Sequence, residues 1–246
     1  MFVGGSAALG IALVQSFRRL WGGRLADHRE NLSGAFSACG GIYAFLLGLT
    51  SVQAMTRHLE ARAATNEEAG LVMTIYRQAG VFPEATRRLV RGELRGYVER
   101  IVREDWPAHV EGRESLATLA AAGETAQAIL EVEPEGPLQM GVKGAMVGAL
   151  GETMKVARTR HRLAEGGLPF VFWLVALGGG ALTIALAALV ETKSLKVDLV
   201  RVGSYAGMVG LLLFLIVVLG RPFHPFGGLS SEPYQRARAI MGTIGD

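Results

Sequence analysis

The chain has 246 residues, of which 50% are hydrophobic, and its formal net charge is +3. The charges are mixed rather than gathered into a basic stripe, so the composition excludes the electrostatic footprint of a nucleic-acid-binding protein. Cys39 is the only cysteine, which excludes a disulfide framework.

The first predicted element is an apolar helix at residues 2–14, which Arg18 and Arg19 follow. The helix is short for a transmembrane span, although tilt or snorkelling of the arginines could complete it. A cleaved signal peptide is the alternative, but its positive charges should precede the apolar core. We therefore favour a retained first helix, followed by a short arginine-rich loop at residues 18–32.

Residues 33–55 are uncharged and form the second predicted span. Small residues recur there every three or four positions and share one helix face. In lipid such a stripe usually marks a contact between helices, whereas in an oligomer it could line a pore. The stripe, a candidate pore lining, consists of Ser33, Ser37, Gly40, Ala44, Gly48 and Ser51.

From residue 56 to residue 168 the chain becomes charged, with 15 basic against 16 acidic residues and no strand alternation. Apolar positions recur with helical period, and prolines or glycines interrupt them. The pattern predicts a solvated bundle with helices at about 57–79, 84–105, 113–131 and 138–164. Pro107 is expected to end the second of these helices, and Glu104 and Asp105 are expected to be solvated charges.

Three basic residues, Lys155, Arg158 and Arg162, share one helix face just before the third predicted span. One interpretation is interfacial charge that touches lipid head groups. The other is a ring of positive charge at a pore mouth, which would favour anions. The sequence leaves both open.

Residues 169–190 and 202–220 carry no Asp, Glu, Lys, Arg or His. About 20 apolar residues suffice to cross the hydrocarbon core, so this stretch predicts a transmembrane hairpin. Glycines at residues 178–180 offer a place for a close helix crossing or a bend, and Gly203, Gly207 and Gly210 form a second small-residue seam. After Gly220, prolines stop the helix, and Ser230 or Ser231 is expected to cap a short amphipathic helix that ends near Met241.

The predicted architecture is an all-α membrane protein with four transmembrane helices in two hairpins. Its parts are a first transmembrane pair at 1–55, a soluble helical region at 56–168, a second pair at 169–220 and a tail at 221–246. The positive-inside rule puts the soluble region outside the cytoplasm. This inference rests on seven basic residues in the two short loops: Arg18, Arg19, Arg24, Arg29, Lys193, Lys196 and Arg201.

The chain resembles the bestrophin-like family of bacterial membrane proteins from about residue 30 to residue 240. The most telling segment is the tail, RPFHPFGGLSSEPYQRA. Three further elements are similar to family motifs, although Gly70 and the His224-Pro225 insertion depart from the pattern. They are Glu67-Glu68-Ala69, Glu104-Asp105-Trp106-Pro107, and Arg158, Arg160 and Arg162 ahead of Leu168-Pro169.

Bestrophins are pentameric anion channels with four spans per subunit and a helical cytosolic region. The resemblance therefore implies a homo-oligomer, with the soluble region in the cytoplasm, opposite to the charge count. It also implies that bulky apolar residues of the second span form a pore neck, a role that Ile42, Phe45, Leu46 and Leu49 could take. The implied partners are further copies of the chain, the lipid bilayer and small inorganic ions.

Two functions follow from these observations. The first is a homo-oligomeric ion channel for anions, with its pore on the oligomer axis. The alternative is a non-conducting oligomeric scaffold or sensor whose soluble helices bind a ligand or partner. In either case we expect an integral protein of the bacterial inner, or plasma, membrane.

An enzyme is the weakest prediction. The five histidines are scattered, and we find no nucleophile elbow, phosphate loop or metal-ligand spacing. We therefore predict no catalytic residue, no metal and no cofactor.

Overall fold

A computed structural model describes residues 29–113, 115–190, 194–226 and 228–245. Within these ranges the regular structure is helical and contains no strand, which confirms the all-α prediction. Three helical segments there are long and apolar enough to cross a membrane: Glu30–Val81, Pro137–Leu189 and Leu195–Gly220. The first predicted span, at residues 2–14, lies outside the described residues.

The longest helix, α1, covers Arg29–Gln78 and ends in a 3-10 turn at Ala79–Val81. The helix predicted at 57–79 is therefore the second half of α1, not a separate element. The remaining helices are α2 (Glu84–Arg100), a π turn (Ile101–Asp105), α3 (Trp106–Val110), α4 (Leu116–Leu130), α5 (Pro137–Glu165), α6 (Phe170–Leu189), α7 (Leu195–Gly220) and α8 (Glu232–Ile244).

The chain divides into two compact units, and α1 contributes to both. The first, here called the membrane unit, comprises the described residues of Met1–Thr56 and Leu168–Gly220. The second, here called the helical unit, comprises those of Arg57–Gly167 and Arg221–Asp246.

The membrane unit is held by a close crossing of α1 and α6. The Tyr43 hydroxyl donates a 2.7 Å hydrogen bond to the Ala176 carbonyl. A Cβ atom added at Gly179 would lie 2.6 Å from the Tyr43 ring, and one at Gly180 would lie 2.8 Å from its hydroxyl. Only glycine allows this approach, so of the two possibilities predicted at residues 178–180, a close crossing or a bend, the structure has the close crossing.

The small-residue seam predicted on α7, at Gly203, Gly207 and Gly210, shows no such close approach at its first two positions. A Cβ atom added at Gly203 or Gly207 would meet no heavy atom within 4 Å in the described chain. These two positions therefore make no close helix contact inside one subunit.

The helical unit has an apolar core to which the predicted periodic positions contribute. Ile75, Leu94, Val98 and Ile101 are each at most 1% exposed, whereas Leu89, which also fits the periodicity, is 52% exposed. The helices that carry this core end within a few residues of the predicted bounds, because breakers and hydrophobic period agree there.

Pro107 does not end its helix, contrary to the prediction. The backbone widens into the π turn, where the Trp106 N–H donates to the Ile101 carbonyl five residues earlier. Proline has no N–H to donate, and its ring would clash with the carbonyl four residues before it in a regular helix. A π turn directly ahead of the proline relieves this conflict, so helical winding continues to Val110.

The tail folds into the helical unit through α8. As predicted, α7 ends at Gly220 and the last helix starts after Ser231, although α8 continues three residues past Met241. The Ser231 hydroxyl accepts a hydrogen bond from the Gln235 side chain at 2.8 Å rather than from a backbone N–H. The buried face of α8 consists of Tyr234, Ala237 and Met241.

Candidate functional site

The pore-lining candidates of the membrane unit lie on the part of α1 that is least covered by the chain. Ile42, Phe45 and Leu49 are 64%, 66% and 54% exposed. The small-residue stripe is also mostly uncovered, with Ser33, Ser37, Ala44 and Gly48 exposed and Gly40 and Ser51 half-buried. The face of α1 that packs inside the unit is formed by Tyr43, Leu47, Thr50 and Ala54.

The two sets of candidates point in different directions. Each residue turns an α-helix by about 100°, so the small stripe lies about 90° around α1 from the packed face. The bulky set lies about 135° from the packed face in the opposite sense. The two sets therefore cannot both face one axis, and a pore lined by α1 must use one of them.

The three basic candidates lie on α5, in the helical unit, and are solvent-exposed. The Lys155 amine is 3.1 Å from the Glu152 carboxylate, so its charge is partly compensated. Arg158 and Arg162 are exposed. Arg160, between them in the sequence, points the other way and is completely buried.

Arg160 is the centre of a buried polar network, here called the Arg160 cluster. Its Nε donates to Glu68 Oε2 at 2.8 Å and its Nη1 donates to Asp105 Oδ2 at 2.7 Å. All three side chains are 0% exposed. The full cluster comprises Glu68 from α1, Tyr97 from α2, Asp105 from the π turn, His109 from α3, Arg160 and His161 from α5, and Tyr234 from α8.

Two tyrosines complete the hydrogen bonding of Glu68. The Tyr97 hydroxyl donates to Oε1 at 2.7 Å and the Tyr234 hydroxyl donates to Oε2 at 2.9 Å. Burial, followed by the Glu68 charge, raises the pKa of the Tyr97 hydroxyl well above its usual range. Burial likewise raises the pKa of Tyr234, although the Arg160 charge opposes the rise. Both hydroxyls therefore stay protonated and serve as donors.

Arg160 remains a cation despite its burial. Burial by itself lowers the pKa of a guanidinium. The charge of the adjacent Glu68, together with the smaller effect of Asp105, nevertheless raises the pKa of Arg160 well above its usual value. The Arg160 guanidinium is therefore shared between the Glu68 and Asp105 carboxyl groups.

Two histidines lie against the Asp105 side of the cluster. His109 Nε2 is 2.9 Å from His161 Nδ1, and His109 Nδ1 is 3.0 Å from Arg160 Nη1. Burial, followed by the charges of Arg160 and His161, lowers the pKa of His109 to about 2, so this imidazole is neutral. Asp105, His109 and His161 each have a potential ligand atom within 4.8 Å of the others, and all three residues are buried.

A cavity of about 270 Å³ lies beside His109. It is lined by the end of α3 and the residues that follow it, by the end of α5 and by the start of the tail. The charged residues among its lining are Glu111, Glu165 and Arg221. The cluster therefore adjoins this cavity through His109.

Sequence reasoning missed most of this cluster. The expectation that Asp105 is solvated was wrong, because its side chain is 0% exposed. Glu104, one residue earlier, is exposed as expected. A signal was available in the four-residue spacing of Asp105 and His109, which places both side chains on one helical face. His161 is 52 residues from His109, and no local pattern connects the two.

Comparison with known sequences and structures gives a consistent result. Residues 4–234 match the sequence model of the Bestrophin-like domain. No curated protein matches the chain.

Several solved structures share the fold. A mutant of a bacterial bestrophin homologue from Klebsiella pneumoniae is 16% identical, covers 100% of both chains and gives a TM-score of 0.77. A bacterial bestrophin homologue from the same organism, solved by Zn-SAD phasing, is 18% identical over 97% of both chains, with a TM-score of 0.75. A mutant described as a membrane protein gives a TM-score of 0.79 at 16% identity, over 99% of this chain and 98% of that one.

Proposed function

The chain belongs to the Bestrophin-like family, and from this premise we propose that it assembles into a homo-oligomeric, anion-conducting channel with its pore on the oligomer axis. It is an integral membrane protein, and its bacterial relatives indicate the inner, or plasma, membrane. Four spans in two hairpins are part of the proposal, as is a pentamer, which is the bestrophin assembly. One chain with so few spans can hardly enclose a conduit, so conduction requires self-association.

The observation that carries this proposal is the uncovered bulky face of α1. In a ring of subunits, the face of the innermost helix that is turned away from its own subunit points toward the axis. Ile42, Phe45 and Leu49 occupy that position relative to the packed face of α1. Rings of such side chains make a hydrophobic constriction, which can gate ion flow by dewetting.

The small-residue stripe then takes a different role. It lies to the side of the packed face, where a helix of the neighbouring subunit would approach. Ala44 and Gly48 are exposed in the single chain and would allow close backbone contact. We therefore assign the stripe to subunit packing and the bulky face to the pore.

Charge supports anions as the conducted ions. Arg158 and Arg162 are exposed on α5, in the last turns before the segment that leads into α6. Rings of arginine or lysine at a pore entrance favour anions. None of the predicted spans contains an Asp, Glu, Lys, Arg or His, whereas a proton-coupled transporter needs such groups at membrane depth.

Planar-bilayer recordings of the purified oligomer test the proposal. We expect a conductance that rises in Phe45→Ala, because a smaller side chain widens the constriction. Phe170→Ala is the matched control, since Phe170 is 76% exposed on α6 and is not assigned to the pore. A folded oligomer that conducts nothing across a range of salt and pH would overturn the proposal and favour the scaffold or sensor.

Selectivity has its own test. In asymmetric potassium chloride the reversal potential of the wild type should lie toward the chloride equilibrium potential. Charge reversal in the double variant Arg158→Glu, Arg162→Glu should move it toward the potassium value. Arg88→Glu, at an exposed arginine of α2, should leave it unchanged. Equal potentials in wild type and double variant would remove these arginines from the permeation path.

A further inference from the structure

The outer face of α4 lacks the charges that a solvent-facing helix usually carries. Leu116, Leu119 and Leu130 are 82%, 46% and 57% exposed. The other exposed residues of α4 are Ala120, Gly123, Glu124 and Gln127. The one charge among them, Glu124, is paired with Arg100 of α2 at 2.9 Å. Helices that face water normally place charged residues on their outer side, so this face of α4 is typical of a surface that a partner covers.

A groove of about 590 Å³ lies between α1 and α8 of the same helical unit. Ala69 and Met73 of α1 and Ala237 of α8 are buried residues of its lining, and Ile240 beside them is 41% exposed. This part of the groove is apolar and can accept leucine side chains.

The Arg160 cluster marks one level that both surfaces share. Glu68 of α1 accepts a hydrogen bond from Tyr234 of α8 at this level. Asp105, in the same cluster, accepts a 3.2 Å hydrogen bond from the backbone N–H of Ser115, which directly precedes α4. The three helices therefore meet the cluster at Glu68, Tyr234 and Ser115.

From this level α1, α4 and α8 run in the same direction. Tyr76 of α1 donates to the Met241 carbonyl, so α8 is parallel to α1. Arg91 of α2 donates to the Tyr76 carbonyl, and α2 therefore runs back along α1 towards the cluster. Thr125 of α4 donates to the Glu93 carbonyl, so α4 runs along α2 away from the cluster again.

The α4 face and the groove consequently extend over the same depth. At a rise of 1.5 Å per residue, Leu119, Met73 and Ile240 lie about 6–9 Å beyond the cluster. Copies in a closed ring are related by rotation alone. With α1 along the pore axis, as the proposed channel requires, two different surfaces can meet between neighbours only if their depths match, and these two surfaces do.

The charges around the two surfaces are of opposite sign. Residues 114–142, which include α4, contain five glutamates and no lysine, arginine or histidine. The groove is lined by His58, Arg62 and Arg236, with Glu232 as its one acid. Glu232 is paired with Arg236, whereas Arg62 has no ion-pair partner among the described residues. An acidic surface and a basic groove attract each other, and two α4 surfaces would repel.

We propose that the outer face of α4 in one subunit packs into the α1–α8 groove of the next subunit. This inference rests on the proposed homo-oligomer and identifies the surfaces that join its helical units. Because the two surfaces are different, the contact is heterologous, and a heterologous contact can close into a ring.

Disulfide cross-linking of the full-length protein in detergent tests the contact, in a Cys39→Ala background with copper phenanthroline as the oxidant. Every copy of the double variant Leu119→Cys, Ile240→Cys carries both halves of the contact, so we expect a ladder of covalent oligomers on non-reducing electrophoresis. Leu89→Cys with Ile240→Cys is the matched control. Leu89 is 52% exposed on α2, outside both surfaces, and this pair should stay monomeric.

The single variant Leu119→Cys should also stay monomeric, and a covalent dimer from it would overturn the proposal, because it would show that the α4 face pairs with itself. The native mass of the double variant before oxidation separates the remaining outcomes. An intact oligomer that yields no ladder would overturn this contact and leave the proposed channel standing. The mass of a single chain would overturn the proposed assembly and the contact together.

Discussion

Replacing Arg160 by methionine would leave two carboxylates buried without their shared cation. Methionine has a similar length, so the change removes charge and hydrogen bonds more than volume. Glu68 and Asp105 are both 0% exposed, and water cannot reach them to compensate. Removing one partner of a buried ion pair costs about 3–5 kcal/mol, because it strands the other charge.

Thermal unfolding of the purified protein measures this cost. At about 2–4 °C per kcal/mol for a chain of this size, the midpoint of Arg160→Met should fall by roughly 6–20 °C. Arg158→Met is the matched control, two residues earlier on the exposed face of α5, and should change the stability by less than about 0.5 kcal/mol.

A double variant distinguishes two possible causes of the instability of Arg160→Met, the loss of the arginine charge and the loss of its side-chain packing. Glu68→Gln in the Arg160→Met background removes one stranded charge, so it should recover about 0.5–3 kcal/mol of the loss. If Arg160→Met unfolds no earlier than Arg158→Met, or if the second substitution lowers the midpoint further, the cluster does not stabilise the helical unit in the way described.

Three further substitutions test other features of the fold. Gly179→Ala should cost about 1–3 kcal/mol of stability through overpacking against the Tyr43 ring, and the thermal midpoint should fall accordingly. Gly178→Ala is the control, because a Cβ atom there has open space, and its midpoint should not change. Equal midpoints in the two variants would contradict the close crossing. Tyr234→Phe removes a donor to the buried carboxylate of the cluster and should cost about 1.5–3 kcal/mol in the same assay, and a neutral result would mean that the hydroxyl bond is not made. Leu94→Ala should cost about 2–5 kcal/mol at a position that is 1% exposed, with Leu89→Ala, at 52%, as the control; similar losses would show that the core is assigned to the wrong face.

The sequence predicted the features that depend on local periodicity. Uncharged runs of sufficient length indicated the membrane helices, and hydrophobic spacing with Pro83 and Gly220 nearby indicated most helix bounds. The three adjacent glycines at residues 178–180 predicted a close crossing or a bend, and the structure shows the crossing. Each of these signals lies within one element, so it can be recognised without knowledge of its neighbours.

Features that depend on tertiary partners could not be obtained in the same way. Arg160 and Glu68 are 92 residues apart, and each resembles an ordinary surface charge in its own helix. The burial of either is tolerable only because the other is present, so no window of sequence around one of them reveals it. The same holds for the faces of α1, where the chain alone gives two stripes but only packing distinguishes them.

The π turn decides which of two neighbouring acids belongs to the interior. The π turn holds one residue more than an ordinary α-helical turn. If the helix from Glu84 to Val110 were regular, every side chain after this turn would therefore be rotated about the helix axis by about 100°. Deleting a single residue from this turn would therefore rotate all the side chains that follow it in the helix away from their present contacts. Trp106, Asp105 and His109 would all leave their places together, although each would still be present in the chain.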